Sequence, residues 1–117
     1  MCEMKIKTSE LQGAALDWAV AKCEGIEFTY EDHPHHEMFD MHYSTDWAQG
    51  GPIIQREKIA TAYQTEDDGW EVPNWAAWMA LAEDRQMTMG ETPLVAAMRC
   101  YVASKLGPEV DVPEEVK

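Results

Sequence analysis

Apolar and polar positions alternate first at Met4-Lys5-Ile6-Lys7-Thr8, which predicts a short edge strand. Leu11, Ala14, Ala15, Trp18 and Ala19 then recur at spacings of three and four, the signature of one apolar helical face. That helix is expected to be capped by Thr8 or Ser9, with Glu10 in its first turn, and to end near Cys23 with Gly25 as its C-cap. Gly13 inside it is either a mild penalty or a place where another backbone comes close. Ile26–Tyr30 alternates again and predicts a strand, followed by a polar loop over 31–37 and a second hairpin strand over Met38–Tyr43. Residues 44–57 open with cap-type residues and are broken by Gly50-Gly51-Pro52. They predict a turn, then a short helix with Pro52 at its first position.

Lys58–Gln64 predicts another strand, and 66–69 a turn. Trp70–Val72 and Trp75–Met79, separated by Pro73-Asn74, predict one interrupted returning strand, with a short helix over Ala76–Arg85 as the competing assignment. Ala82–Gly90 is expected to be a polar loop. The clearest element comes last: Thr92 as cap, Pro93 at the first helical position, an apolar stripe of Leu94, Ala97, Met98, Tyr101, Val102 and Leu106, and a stop at Gly107-Pro108. The acidic residues after it predict a flexible tail over 108–117. The expected fold class is therefore α+β: a small antiparallel sheet of about four strands with two main helices packed on it, forming one domain over 1–107.

Composition agrees with a folded domain. Of 117 residues, 45% are hydrophobic and 9% aromatic, enough for one modest core and too much for a disordered chain. The N-terminus lacks the apolar stretch of a signal peptide, and no apolar run approaches the ~20 residues of a membrane span, so the expected location is the cytoplasm. The three cysteines, Cys2, Cys23 and Cys100, are odd in number and have no CxxC spacing, which argues against a disulfide framework or a zinc knuckle. The formal charge of −13, from nine basic and 22 acidic residues, sets the chain against duplex nucleic acid and anionic membranes as partners. The acids are spread over loops, helices and tail, so plain solubility explains them at least as well as mimicry of DNA. Self-association stays open.

Three segments carry a family resemblance. Lys5–Leu11 with Gly13–Ala21 opens the chain, Ser44–Ile54 lies in its middle, and Thr92–Gly107 closes it. Together these collinear segments resemble the phage NinX-like family, small proteins of tailed phages and prophages with no assigned reaction. The resemblance implies a phage accessory protein working in the cytoplasm of a bacterial host. The stretch Glu31–His42 departs from the family pattern and is treated as a variable loop.

The densest candidate chemistry is Asp46, Trp47, Gln49, Gly50 and Gly51, with Arg56 and Lys58 just beyond. Paired glycines admit a close ligand, and a helix starting near Pro52 would offer free amides and a positive dipole end to an anion. Trp47 could stack on a planar ring, Asp46 or Gln49 could bond a ribose or base edge, and Arg56 could grip phosphate. The plainer explanation is a tight turn: Asp46 caps, Trp47 fills the core and Arg56 pairs with a surface acid. The ending required of a P-loop is missing. His33, His35, His36 and His42, with Glu37 or Asp40, complete no metal motif and are expected in a solvated loop. Trp70, Trp75 and Trp78 are expected in the core or on a sheet face. No nucleophile has a spaced partner set, so no catalytic residue, metal or cofactor is assigned. The expected function is a non-catalytic phage accessory protein that sequesters a nucleotide-type small anion, as a counter to host defence. The alternative is an acidic interaction module that occludes a basic surface on a host or phage protein.

Overall fold

The computed structural model describes residues 3–25, 42–64, 74–80 and 87–113. Among them the element order is β1 (Glu3–Lys7), a 3-10 turn (Thr8–Glu10), α1 (Gly13–Cys23), α2 (Trp47–Glu57), β2 (Ile59–Gln64), β3 (Asn74–Met79), β4 (Thr88–Gly90), α3 (Pro93–Leu106) and β5 (Glu109–Pro113). The class is α+β, with two antiparallel sheets, β1-β5 and β2-β3-β4. The strand and hairpin expected over 26–43 fall almost wholly outside the described residues, as do the 66–69 turn and Trp70–Val72.

The fold is organised around α3. Thr92 Oγ1 accepts the Val95 N–H at 3.0 Å, Pro93 takes the first turn where its missing donor costs nothing, and Gly107 closes the helix at φ +91°. Its burial is broader than the expected stripe. Leu94, Ala96, Ala97, Met98, Cys100, Tyr101 and Val102 are all buried, whereas Leu106 is only partly so. The reason is that α3 packs against many elements: α1 and α2 as well as β2, β3 and β4. Its alanines let those neighbours approach closely. On α1, Ala15, Leu16, Ala19 and Val20 face this core, joined by Leu11 just before the helix.

The three-stranded sheet follows from period-two patterning. β2 and β3 pair antiparallel from Ile59 opposite Met79 to Gln64 opposite Asn74. Ile59, Ala77, Met79 and Trp75 join the core around α3. The 74–79 segment is thus a strand and not the start of a helix over Ala76–Arg85. β4 lies in the stretch expected to be a polar loop; it is only three residues long, too short to show a period, and is defined by pairing with β3.

The segment expected as a flexible tail is the second correction. Glu109–Pro113 forms β5, and Ile6 faces Val110 across the β1 ladder. Val110 and Val112 point inward and are buried, while Glu109 and Asp111 stay exposed. Asp111 stands opposite Lys5 and Glu109 opposite Lys7, so each outward acid meets a base across the ladder. Thr8 fastens the turn into this pair, its N–H donating to the Pro108 carbonyl at 2.8 Å and its Oγ1 to the Gly107 carbonyl at 2.6 Å. The residues after Gly107 therefore belong to the domain at least as far as Pro113.

Candidate functional site

The segment singled out in the sequence forms a longer helix than expected. Asp46 caps it, its Oδ1 accepting the Ala48 N–H at 2.9 Å, so α2 begins at Trp47, five residues before Pro52. The amides around Gly51 to Ile53 consequently lie inside the helix and are not the free N–H groups expected of a start at Pro52. Gln49 Oε1 accepts the His42 N–H at 2.8 Å and ties the preceding turn to the helix. Gly50 does permit a close approach, but the approaching groups belong to the protein. A Cβ there would collide with the Tyr43 carbonyl oxygen and stand 2.6 Å from Leu94 Cδ1, so only glycine lets α2 seat on the turn and on α3.

Trp47 is 55% exposed and not in the core. Arg56 lies nine residues further on, about 13 Å along the axis and half a revolution round the helix. It forms a bidentate pair with Glu24, with Nη2 2.5 Å from Oε2, bonds Glu57 at 2.8 Å and Tyr101 Oη at 3.1 Å, and lies over the Tyr101 ring. These bonds raise the Arg56 pKa, and the guanidinium holds the Glu24 carboxyl below its usual range. Lys58 is the exposed left-handed C-cap of α2, at φ +58°. Asp46, Trp47, Gln49, Gly50, Gly51, Arg56 and Lys58 therefore do not share one concavity. Trp75 lies elsewhere, packed against Tyr63 with ring centroids 5.2 Å apart and against the core.

A different hollow, of about 600 Å³, retains Trp47 alone of those seven. Three helix starts line it. Gln12 and Gly13 open α1, Ser44, Thr45 and Trp47 lead into α2, and Thr92, Leu94 and Val95 open α3. The N-terminal end of each helix carries a partial positive charge on its unsatisfied amides. α3 is capped by Thr92 and α2 by Asp46, whereas Gln12 gives α1 no side-chain cap. Gly13, at φ +58°, turns the chain into α1 where a side chain would be strained.

Arg99 completes the wall. It projects from the second turn of α3, where Nε donates to the Leu11 carbonyl and Nη1 to the Met89 carbonyl, both at 2.7 Å. Among the described residues no carboxylate lies within ion-pair distance of it. Burial consequently lowers its pKa, with the charge of Glu91 acting the other way. Ser44 is 2% exposed, and its Oγ makes no hydrogen bond of sound geometry. Behind it the buried Asp17 accepts the Ser44 N–H at 2.8 Å and so holds this turn in place. Burial raises the Asp17 pKa, opposed by the Ser44 N–H, by the Ser44 hydroxyl and by the charge of His42.

Sequence patterning missed Arg99, although one signal was present. Met98-Arg99-Cys100 places a lone cation among apolar residues of the most buried helix, and such a charge needs a partner or a cavity. Gln12 and Thr45 carried no comparable signal.

The remaining chemistry is sparse. Among the described residues no three His, Cys, Asp or Glu side chains stand close enough to hold a metal, and His33, His35, His36, Glu37 and Asp40 lie outside them. Burial pushes the thiols of Cys23 and Cys100 up to about 11, which leaves them protonated and unreactive at neutral pH. No described helix is long and apolar enough to cross a membrane. Compared with known proteins, no curated protein matches the chain, whereas the family model described as bacteriophage P22 NinX matches residues 7–105.

Proposed function

The chain belongs to the bacteriophage P22 NinX family and is a phage protein, and from that premise we propose that it is a non-catalytic binder that sequesters a small anionic, nucleotide-type ligand in the cytoplasm of the bacterial host. The observation that carries this proposal is the hollow lined by three helix starts and by Arg99, a cation with no carboxylate partner among the described residues. A chain of net charge −13 repels anions at long range, so binding one requires a local reversal of sign. Helix N-termini and a guanidinium supply that reversal. The hollow also has the size usual for small-molecule sites. A part in countering host defence fits a phage protein that withholds a signalling nucleotide.

The alternative, an acidic module that occludes a basic surface, rests on net charge alone. Several acids already have internal partners: Glu24 and Glu57 bond Arg56, and Asp111 and Glu109 face Lys5 and Lys7. Native mass spectrometry of protein purified from infected cells tests the proposal. A retained small anion, absent from an Arg99→Gln variant that still folds, is expected. Protein that carries no small molecule but co-purifies with a basic host protein would favour the alternative.

A further inference from the structure

We infer that the hollow takes a ligand with a single phosphoryl group and one planar base, a nucleoside monophosphate or a phosphodiester of the cyclic nucleotide class, and discriminates against nucleoside di- and triphosphates. This rests on the hollow being an anion site. Charge sets the limit. Among the described residues Arg99 is the one cationic side chain lining the hollow, and Glu91 lines it as well. Helix ends add fractional charge only, about half an elementary charge each, and two of the three are already partly satisfied by Thr92 and Asp46. With Glu91 set against them, these groups balance about one negative charge. A triphosphate would bring further charges against Glu91 and against the −13 field of the whole chain.

The polar groups have a definite place. Arg99 spends Nε and Nη1 on the carbonyls of Leu11 and Met89, which fixes the guanidinium plane and leaves Nη2 without a bond among the described residues. Ser44 Oγ is buried beside the Asp17 carboxylate. Gln12 and Gly13, at the start of α1, which has no side-chain cap, line the same hollow. Trp47 stands apart from these groups in character: it is the large aromatic of the lining and is 55% exposed. A half-exposed indole in the lining of an anion site suits a nucleobase, whereas an inorganic anion would make no use of it.

Calorimetric titration of the full chain separates the inference from the reading beneath it. The probes are inorganic phosphate, adenosine and guanosine monophosphates, a cyclic mononucleotide, a cyclic dinucleotide and adenosine triphosphate. The expected result is that a monophosphate or the cyclic mononucleotide binds at least tenfold tighter than the triphosphate, the cyclic dinucleotide and inorganic phosphate. Trp47→Ala, at an exposed position, should weaken that binding tenfold or more with no change in binding of inorganic phosphate. Arg99→Lys should weaken it while the melting temperature shows the variant folded. Triphosphate binding as tight as monophosphate, or affinity indifferent to Trp47→Ala, would overturn the inference while leaving an anion site in place. Failure of every probe at millimolar concentration would overturn both.

Discussion

Replacing Val110 and Val112 together by alanine tests the least expected part of the fold. Val112 is fully buried and Val110 nearly so, both on the inward face of β5. Each substitution removes two methyl groups from the core. At about 0.8 kcal/mol per buried carbon the transfer loss is ~1.6 kcal/mol at each site, or about 3 kcal/mol for the pair, before any cavity term. The lower strand propensity of alanine adds to that. The unfolding entropy of a chain this size, about 2.1 cal/mol/K per residue, turns 3 kcal/mol into a fall in melting temperature of about 12 °C. Thermal melts followed by circular dichroism measure it directly. Asp111→Ser is the control, since that side chain is exposed, and should move the midpoint by less than ~2 °C. If the double variant melts within 2 °C of the parent, the segment after Gly107 contributes nothing to the core and its assignment as a strand is wrong.

Met98 is fully buried in α3, and Met98→Ala should cost about 2–5 kcal/mol, read as a lower denaturation midpoint with an unchanged m-value. Arg56→Ala should cost no more than about 1 kcal/mol, because the Arg56 side chain is half exposed. The lowered Glu24 pKa means that its contribution is present above the unfolded-state pKa and is lost as pH falls through the folded value. Stability measured from pH 7 down to pH 3 should therefore fall less steeply in Arg56→Ala, and parallel curves would count against the pair. Asp17 has the opposite sign. Its raised pKa makes the ionised form a liability at neutral pH that disappears on acidification. Asp17→Asn, which keeps an acceptor for the Ser44 N–H, should gain stability relative to the parent at pH 7 but not below pH 3, and an equal difference at both would refute it.

Local rules were enough for the elements whose signals are local. The Thr92-Pro93 start, the Gly107 stop and the apolar positions between them place α3 within a residue. The same holds for the end of α1 at Cys23 and for the β2 and β3 strands. A cap or a turn needs only its sequence neighbours, and period-two patterning is visible wherever a strand is long enough to repeat. The α+β class and the family resemblance follow from that level too.

Tertiary structure decided everything that depends on what lies opposite a residue. Glu-Val-Asp-Val-Pro is an acidic end by composition and a strand by pairing, because Lys5 and Lys7 wait across the ladder and two valines complete the core. Arg56 and Trp47 are near neighbours in sequence, yet nine residues of helix put them at opposite ends and opposite faces. Arg99 shows the converse. It lies 52 residues from Trp47 and 86 from Gly13, and packing of α1 and α2 on α3 brings all three to one hollow. Sequence fixes charge and periodicity, which act along the chain. Which helix starts converge, and which cation is left without an ion-pair partner among the described residues, depends on how the helices pack, because that packing is set by long-range contacts such as Gly50 against Leu94 that no local window contains.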